Sequence, residues 1–461
     1  MVTLFTLTFA VAGWRSTLGR LSDNSFLWHL RTGRWILEHG VPRHDLFSFT
    51  AEGTRWIAQS WLAEVIYGAL DRTVGPFAIR LLTASTGALV AAFTYRLAVR
   101  VARDRLVAAG VTLGAIAASF TLWSERPLFL GILALVGLLW VVEAPDCALG
   151  RRPLVTIPVL MWLWANLHGS FALGFVYLGL HLAGRWLDGA PPWRDRERQL
   201  LIASAIALGA CLLNPYGPAL LLFPVQLVSR GDVINRIVEW RSPDFRSLQG
   251  VFFAGWLALF IGCATLGRHR LSRRDVLVSV PFALLALWAQ RNITIAPLVG
   301  VPIAARAVAA AVPRPEVGGR LNRPIGVLLL ALGLLWTAQA AAQPDFRFDP
   351  YPVRAMRFVE QEGLLGRHLL TDDGWAAYVI VHYWPRQAVF IDDRYDMYPI
   401  RVIDDFFTLN HLDPGWERVL DRYGIEVVVW NRKKPLTQAL DLDPGWRRLY
   451  QDKQAGVYVR R

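Results

Sequence analysis

The sequence predicts an α-helical multi-pass membrane protein of about eleven spans, with a small α/β domain outside the membrane at its C-terminal end. Three observations predict it. Of 461 residues, 54% are hydrophobic and only 18% charged, against about 25% charged in an ordinary soluble chain. The apolar residues fall in blocks rather than at helical or strand periods, and the mean hydropathy is +0.33. After Pro344 the blocks give way to short strand-length runs separated by helical stretches.

The candidate spans are residues 1–14, 76–95, 106–123, 127–144, 153–166, 170–184, 200–214, 249–267, 275–290, 293–310 and 324–342. Several are shorter than the ~20 residues of a straight crossing, so their ends are soft. Residues 1–14 lack a basic stretch ahead of the apolar one, which argues against a signal peptide. Either the start lies upstream or the helix extends past Trp14 and Arg15. The domain reading is residues 1–343 as a transmembrane domain with outward loops 15–75 and 215–248, then 344–461 as a soluble α/β domain.

Loops on one predicted side carry Arg96, Arg100, Arg103 and Arg105; Arg151 and Arg152; and Arg185, Arg194, Arg196 and Arg198. Arg268, Arg270, Arg273 and Arg274 follow on that side, then Arg314, Arg320 and Arg323. The opposite short loops carry only Arg126 and Arg291, with none around His168 and Gly169. This alternation predicts that the basic side and the N-terminus are cytoplasmic and that the C-terminal domain is extracytoplasmic. The same placement accounts for the net charge of +13 through anionic lipid head groups, so membrane lipids are expected partners and nucleic acid is not. Cys147, Cys211 and Cys263 are too few for a disulfide framework.

Residues 215–230 are apolar but broken by Pro215, Pro218 and Pro224, and read as a re-entrant or interfacial segment. Residues 26–38 and 61–71 read as amphipathic helices on the membrane surface, with Trp28, Trp35, Trp56 and Trp61 in the interfacial belt. In the tail, helices are expected at 353–363, 375–384, 399–411 and 414–423, and strands at 368–370, 388–391 and 426–430. Leu-Asp-Pro-Gly-Trp occurs at 412–416 and 442–446, each copy read as a helix cap.

The first outward loop is richest in chemistry. Asp23 lies just past the first span, where a carboxylate takes a proton from a hydroxyl near the surface; the competing reading is that it caps the following helix. Arg126 and Arg291 sit at span ends, suited either to clamping a phosphate or to snorkelling into head groups. His168 occupies a tight turn, as a turn residue or as a ligand contact. Asn166, Glu239 and Asp244 complete the outward polar set, and Arg80 is the charge to watch inside a span. Asp372–Asp373 and Asp392–Asp393 read as turn and strand-end carboxylates, without the spaced oxygens of a calcium loop. No metal site is read, and no Walker loop, HExxH or nucleophile elbow is present.

Asp-x-x-x-x-Trp-His-Leu-Arg-Thr-Gly (23–33), Pro-x-x-Asp-x-Phe-Ser-Phe-Thr (42–50), Trp-Ala-Asn-Leu-His-Gly-Ser (164–170), Leu-Asn-Pro-Tyr-Gly (213–217) and Glu-Trp-x-Ser-Pro-Asp-Phe (239–245) resemble a group of uncharacterised bacterial multi-pass proteins. Asp-Asp-Gly-Trp-Ala-Ala-Tyr-Val-Ile (372–380) and Phe-Ile-Asp-Asp-Arg (390–394) extend the likeness into the tail. That group is similar to GT-C glycosyltransferases, which move a sugar from a polyprenyl-phosphate donor to an acceptor at the outer face. The Asp-Gly-Trp segment also looks like the Trp-Trp-Asp-Tyr-Gly region of oligosaccharyltransferase catalytic subunits. The resemblance implies a lipid-linked sugar donor, no cofactor, and catalysis by Asp23 with Asp45 and Glu64 assisting. It further implies substrate contacts from Trp28, His29, Arg126, Asn166, His168, Glu239, Asp244 and Arg291. Asp23 matches the first acid of the family's Asp-Pro-Asp-Leu-Trp-Trp-His motif, but Ser25 stands at the second acid and Leu27 at the first of the paired Trp. The family's His-Glu-Trp-Leu reads Gln59-Ser60-Trp61-Leu62. With two acids missing, the remaining residues suit a metal-free inverting transfer with Asp23 as base better than a two-carboxylate metal site in this loop, and a divalent metal elsewhere stays open. The alternative is a non-catalytic member serving envelope glycan assembly, and a transporter is a more remote one.

Overall fold

The computed structural model describes residues 1–148, 150–266, 271–312 and 322–461. It divides into two compact units, Met1–Arg20 with Val74–Gln343, and Leu21–Thr73 with Pro344–Arg461.

In the first unit each predicted span coincides with a helix. These are Val2–Thr17, Pro76–Ala102, Arg105–Ser119, Pro127–Glu143, Pro153–Leu167, Phe171–Leu187, Asp195–Ala210, Leu248–Leu266, Arg273–Trp288, Ala296–Ala311 and Asn322–Ala341. The first runs on through Trp14 and Arg15 to Thr17. Pro76, Pro127 and Pro153 open their helices, where the missing N–H is no loss. Asp104 accepts from the amides of Leu106 and Val107, and Ser272 forms a capping box with Asp275.

Pro76–Ala102, Arg105–Leu122, Leu248–Thr265 and Asn322–Ala341 are long and apolar enough to cross a membrane; several shorter helices are equally apolar. Trp164, Met161, Tyr177 and Leu135 fill the interior, while Leu113, Val155 and Leu334 stay more than 60% exposed. An apolar face of that extent is at home against lipid rather than water. Arg268, Arg270, Arg314 and Arg320 of the predicted basic side lie outside the described residues.

Two charge groups inside this unit are satisfied by the fold. Arg80 is buried, its Nε donating to the Gly19 carbonyl and its Nη1 to that of Ala340, both at 2.9 Å. It thereby clasps chain ends that a helix leaves without partners. Arg306 donates to Glu143 at 3.0 Å and Asp275 at 3.1 Å, while Arg274 donates to Asp275 at 2.8 Å and pairs with Glu143. Two cations balance two anions there, as low-dielectric burial requires. Arg306 falls within the predicted span 293–310 and is a further charge inside a span besides Arg80. The proline-broken segment after Leu213 contains a helix, Pro218–Ser229, entered through a turn in which Asn214 Oδ1 accepts from the Tyr216 amide at 2.7 Å.

The second unit joins the loop after the first helix to the tail. Helices Asn24–His39 and Trp61–Thr73 cross where Gly33 meets Gly68. A Cβ on Gly33 would lie 1.9 Å from the Glu64 carbonyl oxygen, and one on Gly68 2.5 Å from the Gly33 carbonyl carbon. Only glycine admits that approach. The sheet comprises β1 (Leu369–Thr371), β2 (Val427–Asn431), β3 (Trp446–Gln451) and β4 (Ala455–Arg460), in the order β1-β2-β4-β3. β1 and β2 are parallel, and β4 runs antiparallel to both β2 and β3.

Three expectations for this unit are corrected. The 388–391 run does not enter the sheet: Val389 pairs with the first loop, donating to the Phe47 carbonyl at 2.9 Å and accepting from the Phe49 amide at 3.1 Å. Both Leu-Asp-Pro-Gly-Trp copies make the same turn, with the Trp amide bonded to the Asp carbonyl, yet only the first leads into a helix, Trp416–Arg422. The second leads into β3, because Arg447 and Arg448 are solvent-exposed ladder residues rather than helix formers in an apolar stripe. Finally, Trp28 and Trp56 are 8% and 2% exposed, packed inside this unit rather than spread in a surface belt.

Candidate functional site

The first unit gathers charge at helix ends. Arg126 is the residue before the helix Pro127–Glu143, and it pairs with Glu239 on the 3₁₀ turn Val238–Trp240. Arg291, on the turn Gln290–Thr294, lays its guanidinium 4.6 Å above the Trp240 ring. Gln290 ties the two turns together, its amide donating to the Arg241 carbonyl at 2.9 Å and its Nε2 to that of Val238 at 2.6 Å. Burial alone would raise the Glu239 carboxyl, but Arg126 and Arg291 outweigh it and hold it below the usual carboxylate range.

His168, in the turn after the helix Pro153–Leu167, lies within the field of the same two arginines. Burial and those charges lower its pKa to about 3, so it is neutral. Its Nδ1 accepts from the Ser170 amide at 3.0 Å and bonds the Ser170 hydroxyl at 2.9 Å. Asn166 is buried and donates to the Trp162 carbonyl at 2.8 Å. Asp244 is exposed and accepts from the Arg246 amide at 2.9 Å, closing the turn that precedes Leu248–Leu266. Arg126, Arg291, Glu239 and His168 therefore form one electrostatic group; Asp244 serves its own turn.

In the second unit Arg394 is the centre. Its Nε and Nη2 grip both oxygens of Asp392 at 2.8 and 2.6 Å, and Nη2 also reaches Asp45 at 2.8 Å. All three side chains are at most 1% exposed. Tyr398 donates to Asp392 at 3.0 Å, and Ser48 to Asp45 at 2.6 Å. The guanidinium lies 4.5 Å from the Trp56 ring centroid, 4.8 Å from that of Phe47 and 5.7 Å from that of Trp28. Glu64 is wholly buried and shares a 2.7 Å hydrogen bond with His29.

Asp23 caps the helix Asn24–His39, its Oδ1 accepting from the Phe26 amide at 3.2 Å. Two residues on, Ser25 donates to Asp393 at 2.5 Å, and Trp28 Nε1 donates to the same carboxylate at 2.6 Å. The first helical turn thus carries one carboxylate of its own and binds a second from the tail. Asp393 was legible only as half of an Asp-Asp pair, because its partners are more than 360 residues away. Among the described residues no three His, Cys, Asp or Glu side chains gather as a metal ion would need.

Burial raises Glu64 to about 8 despite the opposing charge of Arg394, and burial beside Asp372 raises Asp373 to about 7. Both values exceed those of the unfolded chain, near 4. The native state therefore holds these protons more tightly, and the stability they carry is complete below about pH 4 and lost as pH rises through 7 to 8. We expect the melting temperature of the detergent-solubilised protein to fall between about pH 4 and 8 and to level off above it, and Glu64→Gln to flatten that slope. An unchanged slope in both Glu64→Gln and Asp373→Asn would show that neither proton is held.

A set of apolar helices and an α/β unit built partly from the loop after the first helix make up the fold. Its likeness among solved structures is to the archaeal oligosaccharyltransferase AglB from Archaeoglobus fulgidus, in complex with an inhibitory peptide and a dolichol-phosphate. The TM-score is 0.52 at 13% identity, over 99% of this chain and 74% of that one. A second structure of the Archaeoglobus fulgidus oligosaccharyltransferase, in complex with Zn and sulfate, gives a TM-score of 0.47 at 13% identity, over 100% and 73% of the two chains. At this identity the likeness is one of fold. No family model matches the sequence, and no curated protein matches it.

Proposed function

We propose that the chain is a membrane glycosyltransferase that moves a sugar from a polyprenyl-phosphate donor to an acceptor hydroxyl at the outer face. The observation that carries this reading is the pairing of two arginines, Arg126 and Arg291, around Glu239 at helix ends, on a fold like that of AglB. AglB was solved with a dolichol-phosphate, the class of carrier that two guanidinium groups suit. In the reaction a carboxylate base, Asp23 by the sequence reading, takes the acceptor proton, the acceptor oxygen bonds the sugar's anomeric carbon, and the bond from that carbon to the phosphate oxygen breaks. Arg126 and Arg291 stabilise the polyprenyl phosphate that leaves with the electron pair. No metal is assigned to this step. The alternation of arginine between loops supports a cytoplasmic N-terminus and basic side and an extracytoplasmic 344–461 segment; the resemblance to bacterial multi-pass proteins is what supports a bacterial inner membrane.

A non-catalytic reading is favoured by one observation: Asp23 already serves as a helix cap. The two separate in an assay of the purified full chain in nanodiscs with a panel of labelled polyprenyl-phosphate sugars. We expect sugar release or transfer by the wild type, and a fall of about 10²-fold in rate for Arg291→Gln. Folded protein that turns over no donor in the panel would support a glycan-binding role instead.

A further inference from the structure

We propose that Glu239 is a resident occupant of an anion site made by Arg126 and Arg291, and that a phosphate group binds there by displacing its carboxylate. The inference rests on the phosphate-clamping role proposed above and adds how that site is held when empty of ligand.

Two guanidinium groups brought together at helix ends repel each other, and the Glu239 carboxylate, ion-paired with Arg126 and adjacent to the Trp240 ring that Arg291 covers, lies in the field of both. The Arg126 and Glu239 side chains are 23% and 31% exposed, so the pair is open to a ligand rather than sealed in the core. Water reaches both partners of a partly exposed pair and competes with the contact between them. A phosphate offers more acceptor oxygens than a carboxylate and fits the guanidinium fork bidentately.

The backbone beneath Glu239 is fixed. Gln290 holds the carbonyls of Val238 and Arg241 on either side of it, and Arg291 stacks on Trp240 next to it. Displacement therefore needs only rotation of the Glu239 side chain, with the two arginines left in place. The contrast with Arg394 is instructive: there the carboxylates are fully enclosed and no ligand reaches them. When the phosphate leaves, Glu239 swings back and offsets part of the charge of the two arginines.

The test uses the full chain in nanodiscs and two probes, a polyprenyl monophosphate in the bilayer and inorganic pyrophosphate in solution. Glu239→Gln keeps the size of the side chain and removes its charge. We expect it to tighten binding about three- to tenfold. Tightening for the bilayer probe alone identifies a lipid head-group site; tightening for both identifies a site for phosphate in either form. The double substitution R126Q/E239Q leaves no unpaired carboxylate and should bind at least tenfold more weakly than E239Q. Weaker or unchanged binding in E239Q, or no anion binding in either protein, overturns the proposal. Because these readings are equilibria, they stand apart from turnover. An E239Q protein that binds phosphate more tightly yet transfers no sugar leaves this inference intact and removes the glycosyltransferase reading.

Discussion

Replacing Arg394 by Met is expected to cost about 3–5 kcal/mol of stability, a large share of the roughly 5–15 kcal/mol that keeps a domain folded. The magnitude follows from what remains behind. Asp392 and Asp45 are fully buried, and the guanidinium supplies three hydrogen bonds to them. Tyr398 and the Arg394 amide still donate to Asp392, and Ser48 to Asp45, but none of these carries a charge. Two anions left without a counter-ion must then be protonated or hydrated, and either disrupts the packing of Trp28, Phe47 and Trp56 around them. The expected signature is a collapse in folded yield, or a much lower melting temperature in detergent. The triple substitution Asp45→Asn, Asp392→Asn, Arg394→Met should recover most of the loss, since it removes the charges together. A single Arg394→Met protein that melts within a few degrees of the wild type would show that the cluster is not a centre of stability.

Much of the helical frame was legible in the sequence, for a physical reason. A helix in lipid must present apolar residues over its whole length, so each span is written as an uninterrupted block and needs no partner to be recognised. The cap at Asp23 and the glycine after the helix Val353–Gln361 were legible likewise, as local chemistry. What was not legible depended on distant pairing. The hairpin of β3 and β4 is short and half polar, and the strand expected at 388–391 turned to Phe47 and Phe49 instead of the sheet. For the candidate site the division is the same. Arg126 and Arg291 were marked by position at span ends, and Glu239 by its motif. That Glu239 lies with both arginines, and that Asp393 binds Ser25 and Trp28, required the fold. The acids missing at Ser25 and Ser60 were visible as absences; a tail carboxylate hydrogen-bonded to Ser25 was not.

Asp23→Asn is expected to lower sugar transfer about 10²- to 10⁴-fold while leaving the fold almost untouched. The substitution separates the two roles the residue can hold. As a cap, Asp23 needs only an oxygen aimed at the Phe26 amide, now 3.2 Å away. Asn offers that oxygen and ranks with Asp at this position, so the cap persists. As a base, it needs a carboxylate able to take a proton from the acceptor, and an amide has no such capacity at neutral pH. Asp23→Ala removes both and should add a stability loss of about 1 kcal/mol to the loss of transfer. The pattern of the pair is therefore decisive. Melting temperatures that rank wild type and Asn together above Ala, with transfer lost in both variants, assign Asp23 to the chemistry. Transfer that survives in Asn and fails only in Ala, in step with the melting temperature, makes the residue a cap and nothing more. The acceptor proton would then pass to another group on the outward face, and Asp393, held by Ser25 two residues along the same helical turn, is the carboxylate to substitute next.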